Sequence, residues 1–376
     1  MQKKTLQNCG WIWGIGLLTL ALIACGAEEE ESKAPPRLAK KLPGPPPEKE
    51  KAISLPLIGH RWGVMSIAYS PDGKQGLSGS KDRTVKLWDL KKGEIIANWP
   101  GHEGTVTSVA FGPYGRLALS GSADKTVRLW NVKTGKLIET FQGHEYGVTA
   151  VAISPDGSLG LSGSVDQTAK LWDLGSLELV STWKGHRFPV YAVAFSPDSE
   201  KALTGGLDIK YWDVGRGQLI KTWSVENKGE EESPFGTPEP PAEEDLLMGI
   251  WSLAFDAEGK RALAGGFDRA ITLWEVKTGR PLARWTGHYL PVSSAVFTPD
   301  GKYVLSSSLD KTLRLWDVKL GMDIASWQGH SMGVVSAALR PDGKQALSGS
   351  TDTTLRLWPL EEAKEPPPSE ETTPKE

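Results

Sequence analysis

Tryptophan returns at nearly fixed intervals along this chain. Trp88, Trp130, Trp172, Trp212, Trp274, Trp316 and Trp358 are separated by 42, 42, 40, 62, 42 and 42 residues. A period of this size marks a propeller or a solenoid, in which each unit is one supersecondary motif that cannot bury its apolar face alone. The unit is clearest from Gly101 to Asn131, GHEGTVTSVAFGPYGRLALSGSADKTVRLWN. Its runs Val106–Phe111, Leu117–Ser122 and Val127–Asn131, followed by Leu137–Phe141, alternate or are β-branched and are bounded by Gly, Pro or Asp. That pattern predicts four short strands per unit. The first turn recurs as Ser70-Pro71-Asp72-Gly73, Ser154-Pro155-Asp156-Gly157, Thr298-Pro299-Asp300-Gly301 and Arg340-Pro341-Asp342-Gly343. Pro presets the first corner and Gly accepts the left-handed φ that follows.

With Gly-His ahead, Asp in the second turn and Trp-Asp closing the third strand, these units resemble WD40 repeats. Trp-Asp stands at Trp88-Asp89, Trp172-Asp173, Trp212-Asp213 and Trp316-Asp317, with Asn131, Glu275 and Pro359 replacing the acid elsewhere. Gly-His stands at His60, His102, His144, His186, His288 and His330. The likeness covers residues 52–360 and recurs seven times. It implies an all-β fold, a seven-bladed β-propeller. The last repeat has only three strands of its own, because Trp358-Pro359-Leu360 runs into Glu361-Glu362-Ala363-Lys364-Glu365-Pro366. The family closes its ring by letting an N-terminal strand complete the last blade, and Ala52 to Leu57 stands where that strand belongs. Closure removes exposed sheet edges.

The flanks have a different composition. Lys3 and Lys4 precede an apolar run from Trp11 to Ala24, which is too short for a bilayer span of about 20 residues and reads as a signal peptide over 1–24. Leu22-Ile23-Ala24-Cys25-Gly26 resembles the lipobox of bacterial lipoproteins, implying cleavage before Cys25 and acylation of its thiol. The same residues also fit an ordinary signal peptide or an uncleaved anchor. Gly26 resembles the residue found in lipoproteins sent to an outer membrane where one exists. Residues 25–51 are charged and Pro-rich with few apolar side chains, and read as a disordered tether. The same reasoning marks 226–245, inserted between the fourth and fifth repeats, as a mobile loop and 361–376 as a disordered tail. Cys9 and Cys25 are the only cysteines, so a mature exported chain has no disulfide and is held by packing.

The formal charge of -3 conceals a division. The insertion holds eight acidic residues and one basic, the tail six and two, and the repeats keep 32 basic against 26 acidic. That excess is scattered rather than gathered, so nucleic acid is not an expected partner. HExxH, phosphate-loop and CxxC motifs are absent.

Each Gly-His has an Asp in its own repeat: Asp82, Asp124, Asp166, Asp208, Asp310 and Asp352. The family resemblance gives these a bracing role: Asp orients His, His meets a strand hydroxyl, and that hydroxyl meets the Trp indole. By position the hydroxyls are Ser78, Ser120, Ser162, Thr204, Ser306 and Ser348. Together these donors and acceptors satisfy one another, which each buried alone could not do. One His per blade is poor spacing for a metal, and neither metal nor cofactor is expected. The fifth repeat lacks both the His and the hydroxyl, with Ala264 in the latter's place.

What remains for function is a loop position two residues after Gly-His. It holds Trp62, Gly104, Tyr146, Phe188, Met248, Leu290 and Met332. The residue before each turn Asp gives Lys81, Ala123, Val165, Leu207, Phe267, Leu309 and Thr351. Apolar side chains in loops invite a binding role, and the resemblance implies partner peptides at such positions, with Arg61 and Arg187 adding polar specificity. The alternative is that they pack on neighbouring blades or cap the channel. The expected protein is a monomeric, non-enzymatic scaffold in a cell envelope that binds a protein or peptide. A propeller enzyme, a hydrolase or lyase with its site at the channel mouth, is the alternative.

Overall fold

The structure, a computed structural model, describes residues 56–224 and 249–360. The signal peptide, Cys25, the tether, the insertion 226–245, Met248 and the tail lie outside the described residues.

The described chain forms seven four-stranded antiparallel sheets. In the second blade the strands are Val106–Phe111, Leu117–Ser122, Val127–Asn131 and Leu137–Phe141. Each blade therefore runs as a meander from an inner to an outer strand. Gly73, Gly157, Gly301 and Gly343 take φ between 64 and 77° in the Pro-Asp-Gly turns, and Gly115 and Gly259 do so in the corresponding turns of blades 2 and 5. Strand β1 (Leu57–Ile58) pairs antiparallel with β28 (Thr354–Pro359), through Leu57↔Leu355 and Ile58↔Thr354, so the N-terminal segment supplies the outer strand of the last blade. Residues 52–55 of the expected closing strand lie outside the described residues.

The core lies between blades rather than within them. Seven buried clusters occupy the seven borders: Val64, Ile67 and Trp88 of blade 1 meet Leu347 and Leu355 of blade 7, and Val85 and Trp99 of blade 1 meet Val106 and Trp130 of blade 2. Burial at about 25 cal/mol per Å² of apolar surface therefore rewards closure itself, since an isolated blade leaves two apolar faces wet. Outer-strand tryptophans stack on the next blade's repeat tryptophan: Trp99 on Trp130 at 5.6 Å, Trp183 on Trp212 at 5.1 Å, Trp223 on Trp274 at 5.8 Å and Trp285 on Trp316 at 6.2 Å. Each outer indole ends against a turn glycine of that next blade. A Cβ at Gly135 would stand 2.8 Å from Trp99 Nε1, and one at Gly279 would run into Trp223. At one border both partners change together. Phe141 replaces the Trp, and Leu177, at φ 65°, replaces the Gly and packs against the same cluster.

Inner-strand hydroxyls add polar stitches. The backbone N–H groups of Val109, Val151 and Ala295 donate to Ser66, Ser108 and Ser252 of the preceding blade at 3.1, 3.0 and 2.9 Å. Ile67 N–H donates to Ser336 Oγ at 3.3 Å across the closing border.

Candidate functional site

The Gly-His turn and the Asp turn of each blade meet on one face. Backbone bonds join them directly: Lys81 N–H to Gly63 O at 3.0 Å, Ala123 to Thr105 at 2.9 Å, Val165 to Gly147 at 3.0 Å, Phe267 to Gly249, Leu309 to Pro291 and Thr351 to Gly333 at 3.1 Å. Beneath them five blades carry one complete chain of hydrogen bonds. His60, His102, His144, His288 and His330 place Nδ1 2.7–2.9 Å from Asp82, Asp124, Asp166, Asp310 and Asp352. Their Nε2 atoms lie 2.7–2.8 Å from Ser78, Ser120, Ser162, Ser306 and Ser348. The same hydroxyls accept from Trp88, Trp130, Trp172, Trp316 and Trp358 at 2.7–2.9 Å.

The donors run one way, from indole N–H to hydroxyl, hydroxyl to imidazole Nε2, and Nδ1–H to carboxylate. A neutral imidazole fits this sequence because it is donor at one nitrogen and acceptor at the other. The carboxylates also receive a backbone N–H, for example from Glu103 to Asp124 at 3.0 Å. Sequence reasoning missed one further member, the Thr of Asp-x-Thr. Thr84, Thr126, Thr168, Thr312 and Thr354 donate O–H to their Asp at 2.6–2.7 Å. Its signal was present, since the same two-residue spacing recurs in five repeats. Burial pushes these carboxyls up, but the bonds from His, from Thr and from backbone N–H groups outweigh it. Asp82, Asp124, Asp166, Asp310 and Asp352 are held well below the usual carboxylate range.

Two blades depart from the pattern. In blade 4 the hairpin is two residues shorter, so Thr204 and Trp212 are 8 apart where Ser162 and Trp172 are 10 apart. His186 still reaches Thr204 at 2.6 Å, and Trp212 donates to Thr204 at 2.8 Å. Asp208 Oδ1 stands 3.0 Å from His186 Nδ1, yet the geometry is not that of a hydrogen bond. Asp208 instead shares its other oxygen with Lys210 Nζ at 3.1 Å, and no Thr follows it at the usual position. In blade 5 Ala264 faces Trp274, whose buried Nε1 has no acceptor. Its Asp268 is exposed and meets Arg284 at 2.8 Å.

Each blade also carries one basic residue below this face. Lys86, Arg128, Lys170, Lys210, Arg314 and Arg356 lie on third strands, opposite Asn98, Thr140, Thr182, Thr222 and Ser326 in the blades where the partner is described. Blade 5 exchanges the pair, with Thr272 on the third strand opposite Arg284 on the fourth. Among the described residues no three His, Cys, Asp or Glu side chains are grouped as a metal site would need. No helix among them is long and apolar enough to cross a membrane.

The loop side chains singled out from the sequence divide in two. Trp62, Tyr146, Leu290 and Leu207 are 66, 58, 48 and 38% exposed, and Arg61 and Arg187 are exposed as well. Val165, Phe188, Phe267, Leu309 and Met332 are half-buried, so packing accounts for part of each. Met248 lies outside the described residues. The turn residue of one blade abuts the loop of the next: a Cβ at Gly333 would lie 3.1 Å from Leu309, and one at Gly147 3.2 Å from Ala123. Two further aromatics join the face. Tyr289, 76% exposed, occupies the residue after Gly-His that is charged or polar in the other described blades. Trp251, on an inner strand, meets Phe267 edge-on at 6.3 Å.

Seven matches to the WD40 family, described as "WD domain, G-beta repeat", fall on residues 52–89, 93–131, 135–173, 177–213, 247–275, 279–317 and 321–359. The chain belongs to the WD40-repeat family. WD40 propellers generally bind protein partners. The curated relatives it matches share single repeats. A Notchless protein homolog of Arabidopsis thaliana is 54% identical over 37 residues, 10% of this chain and 8% of that protein. The vegetative incompatibility protein HET-E-1 of Podospora anserina is 45% identical over 42 residues, 11% of this chain and 3% of that protein. These matches thus span less than a tenth of either relative's length, and bear on the repeat alone.

Proposed function

We propose that this WD40 protein is a non-enzymatic scaffold that binds a protein or peptide on its Gly-His face and is held at a bacterial envelope membrane through an acylated Cys25. One observation carries the binding reading: Trp62, Tyr146, Tyr289 and Leu290 are large, apolar and 48–76% exposed on one face of a closed ring. Water contact at such side chains is relieved by a partner, and rigid aromatics lose little rotamer entropy on binding. Apolar pairs such as Ile95-Ile96 and Leu179-Val180 are also exposed on the outer strands, but each belongs to a different blade edge around the rim.

The cavity at the opposite channel mouth, about 570 Å³, gives less support to an enzyme. Its lining includes Tyr69, Phe255, Phe297, Leu339 and Arg340, and contains no carboxylate or imidazole. Its Ser252 and Ser294 are bonded to backbone atoms of the next blade. Arg340 is bonded to Asp342 at 2.7 Å.

Photo-crosslinkers placed at Trp62, Tyr146 and Leu290 test the docking face in intact cells, with Tyr114 as an exposed control away from it. Adducts from the first three and not from Tyr114 are expected; equal labelling from all four positions would refute the assignment. Membrane attachment is tested separately, by fatty-acid labelling of the native chain and of Cys25→Ser. Label retained by the variant overturns the anchor.

A further inference from the structure

This inference rests on the docking reading and names the chemistry of the occupant. At the Gly-His end of the inner strands, which line the channel, blades 2, 3 and 6 carry Thr107, Thr149 and Ser293. Each hydroxyl donates to a backbone oxygen of the next blade, Thr107 to Val148 and Ser293 to Val334 at 2.7 Å, and Thr149 to Val190. Blades 4 and 5 put Tyr191 and Trp251 at the same register instead. A Cβ at Gly249 would lie 3.1 Å from the Tyr191 ring, and Trp251 meets Phe267 edge-on, so both rings sit at the border of these two blades. Both are half-buried, and among the described residues neither Tyr191 O–H nor Trp251 N–H has a partner, while both donors stay open to water.

The charges around these donors call for the same kind of ligand. Every blade sets one turn Asp against one cation on its third or fourth strand, so that layer is close to neutral, with Asp323 beside Arg314 adding one acid. The rest of the Gly-His loops and Asp turns holds, among the described residues, eight basic residues against two acidic, Glu103 and Glu145. All eight but Lys81 are exposed, including Arg61, Arg83 and Lys125 on blades 1 and 2 and Arg187, Arg269 and Lys311 on blades 4 to 6, so the sign holds without Lys81. The described turns of the opposite face, with the strand residue at each end, hold sixteen basic and fifteen acidic residues. The positive excess of the repeats therefore falls on the Gly-His side. We propose that this face takes an acidic peptide laid across the ring, with carboxylates at the exposed loop cations and at the open donors of Tyr191 and Trp251. Carboxylate oxygens satisfy cations and unpaired donors alike, and hydrogen bonds to a charged group are the stronger kind. Exposed ion pairs contribute little each, so Trp62, Tyr146 and Leu290 supply the burial. These side chains are dispersed among the cations and include an aliphatic one, which suits a peptide better than a row of stacked bases.

The test selects a random peptide library, displayed on phage, against the full chain, then measures affinities of the synthesised winners. Acidic winners are expected. Arg61→Glu, Arg187→Glu and Lys311→Glu together should weaken them by about tenfold or more at low salt, and by less at about 0.5 M salt. Tyr191→Phe and Trp251→Phe, which keep a ring and remove the donor, should each weaken them by about fivefold. Each variant is compared at an unchanged melting curve. Winners without acidic enrichment, or indifferent to the charge variant and to both donor variants, overturn the acidic chemistry; if Tyr289→Ser with Leu290→Asp still blocks them, the docking reading stands. Winners indifferent to that pair as well, or a selection that yields none, overturn both. A single-stranded DNA that binds as tightly as the winners overturns the peptide. The insertion 226–245, with eight acidic residues and one basic, joins Ser224 to Gly249 on the same side. Acidic peptides that bind only when it is replaced by a Gly-Ser linker of equal length assign the cations to the insertion and overturn the partner.

Discussion

Blades 2 and 5 have the same four strands and different interiors. Blade 2 joins Trp130, Ser120, His102, Asp124 and Thr126 in one hydrogen-bonded chain. Blade 5 has Trp274 without an acceptor, Ala264 for the hydroxyl and an exposed Asp268. Both nonetheless pair their strands in the same order. The network is therefore not what makes a blade. Apolar burial at the borders does that, and the cluster between blades 4 and 5, which includes Trp223, Ile250, Leu253 and Trp274, is as complete as any. The network instead ties the Gly-His loop to the Asp turn, so its consequences fall on the proposed docking face.

The sharpest break in this comparison is Asp124→Ala against Asp268→Ala. The first strands an imidazole N–H, a Thr hydroxyl and the backbone N–H groups of Glu103 and Thr126, and should cost about 3 kcal/mol in urea unfolding. The second removes a surface pair and should cost about 0.5 kcal/mol or less. Equal losses would show that the network does not bear the load assigned to it.

Packing gives the next effect. Phe141→Trp enlarges a side chain facing Leu177 where other borders have Trp and Gly, and should cost about 2 kcal/mol through overpacking. Adding Leu177→Gly should recover most of that loss, because it makes room and relieves a left-handed φ of 65°. A double-mutant cycle with no coupling would refute the pairing.

Acid should separate the two blades as well. The Asp carboxyls of blades 1, 2, 3, 6 and 7 are lowered in the fold. The stability they add is complete above their unfolded value, about 4, and is lost progressively as pH falls below it toward the folded values. Hydrogen exchange between pH 5 and 3, corrected for intrinsic rates, should show the Glu103 and Thr126 amides losing protection while the amides beside Asp268 change less. Uniform behaviour would contradict the assignment. The smallest effect is a gain: Ala264→Ser offers Trp274 an acceptor and should stabilise by about 1 kcal/mol. A loss there would mean that the indole is better left without one.

Much of this architecture was legible in advance. The second repeat's strands and the Pro-Asp-Gly turns followed from short-range pattern, because turn chemistry and period-2 alternation act within a few residues, whereas the ring closure followed from the WD40 resemblance. The network was legible through the WD40 resemblance, and its members stand at fixed spacings here, His to Asp 22 residues on and to Ser 18 residues on. The distortion of blade 4 followed less readily. Asp208 is where the pattern puts it, yet the two missing residues remove the Thr and leave the carboxylate to Lys210.

By itself, the sequence determined the repeat, the number of blades and which polar groups could satisfy one another, since all of these depend on residues close in the chain. Only the tertiary structure decided that the core lies between blades, that Trp99 needs Gly135 while Phe141 meets Leu177, and that Trp62 is open while Phe188 is half-buried. Those outcomes depend on which neighbour a side chain meets across a border, and closure of the ring sets that neighbour.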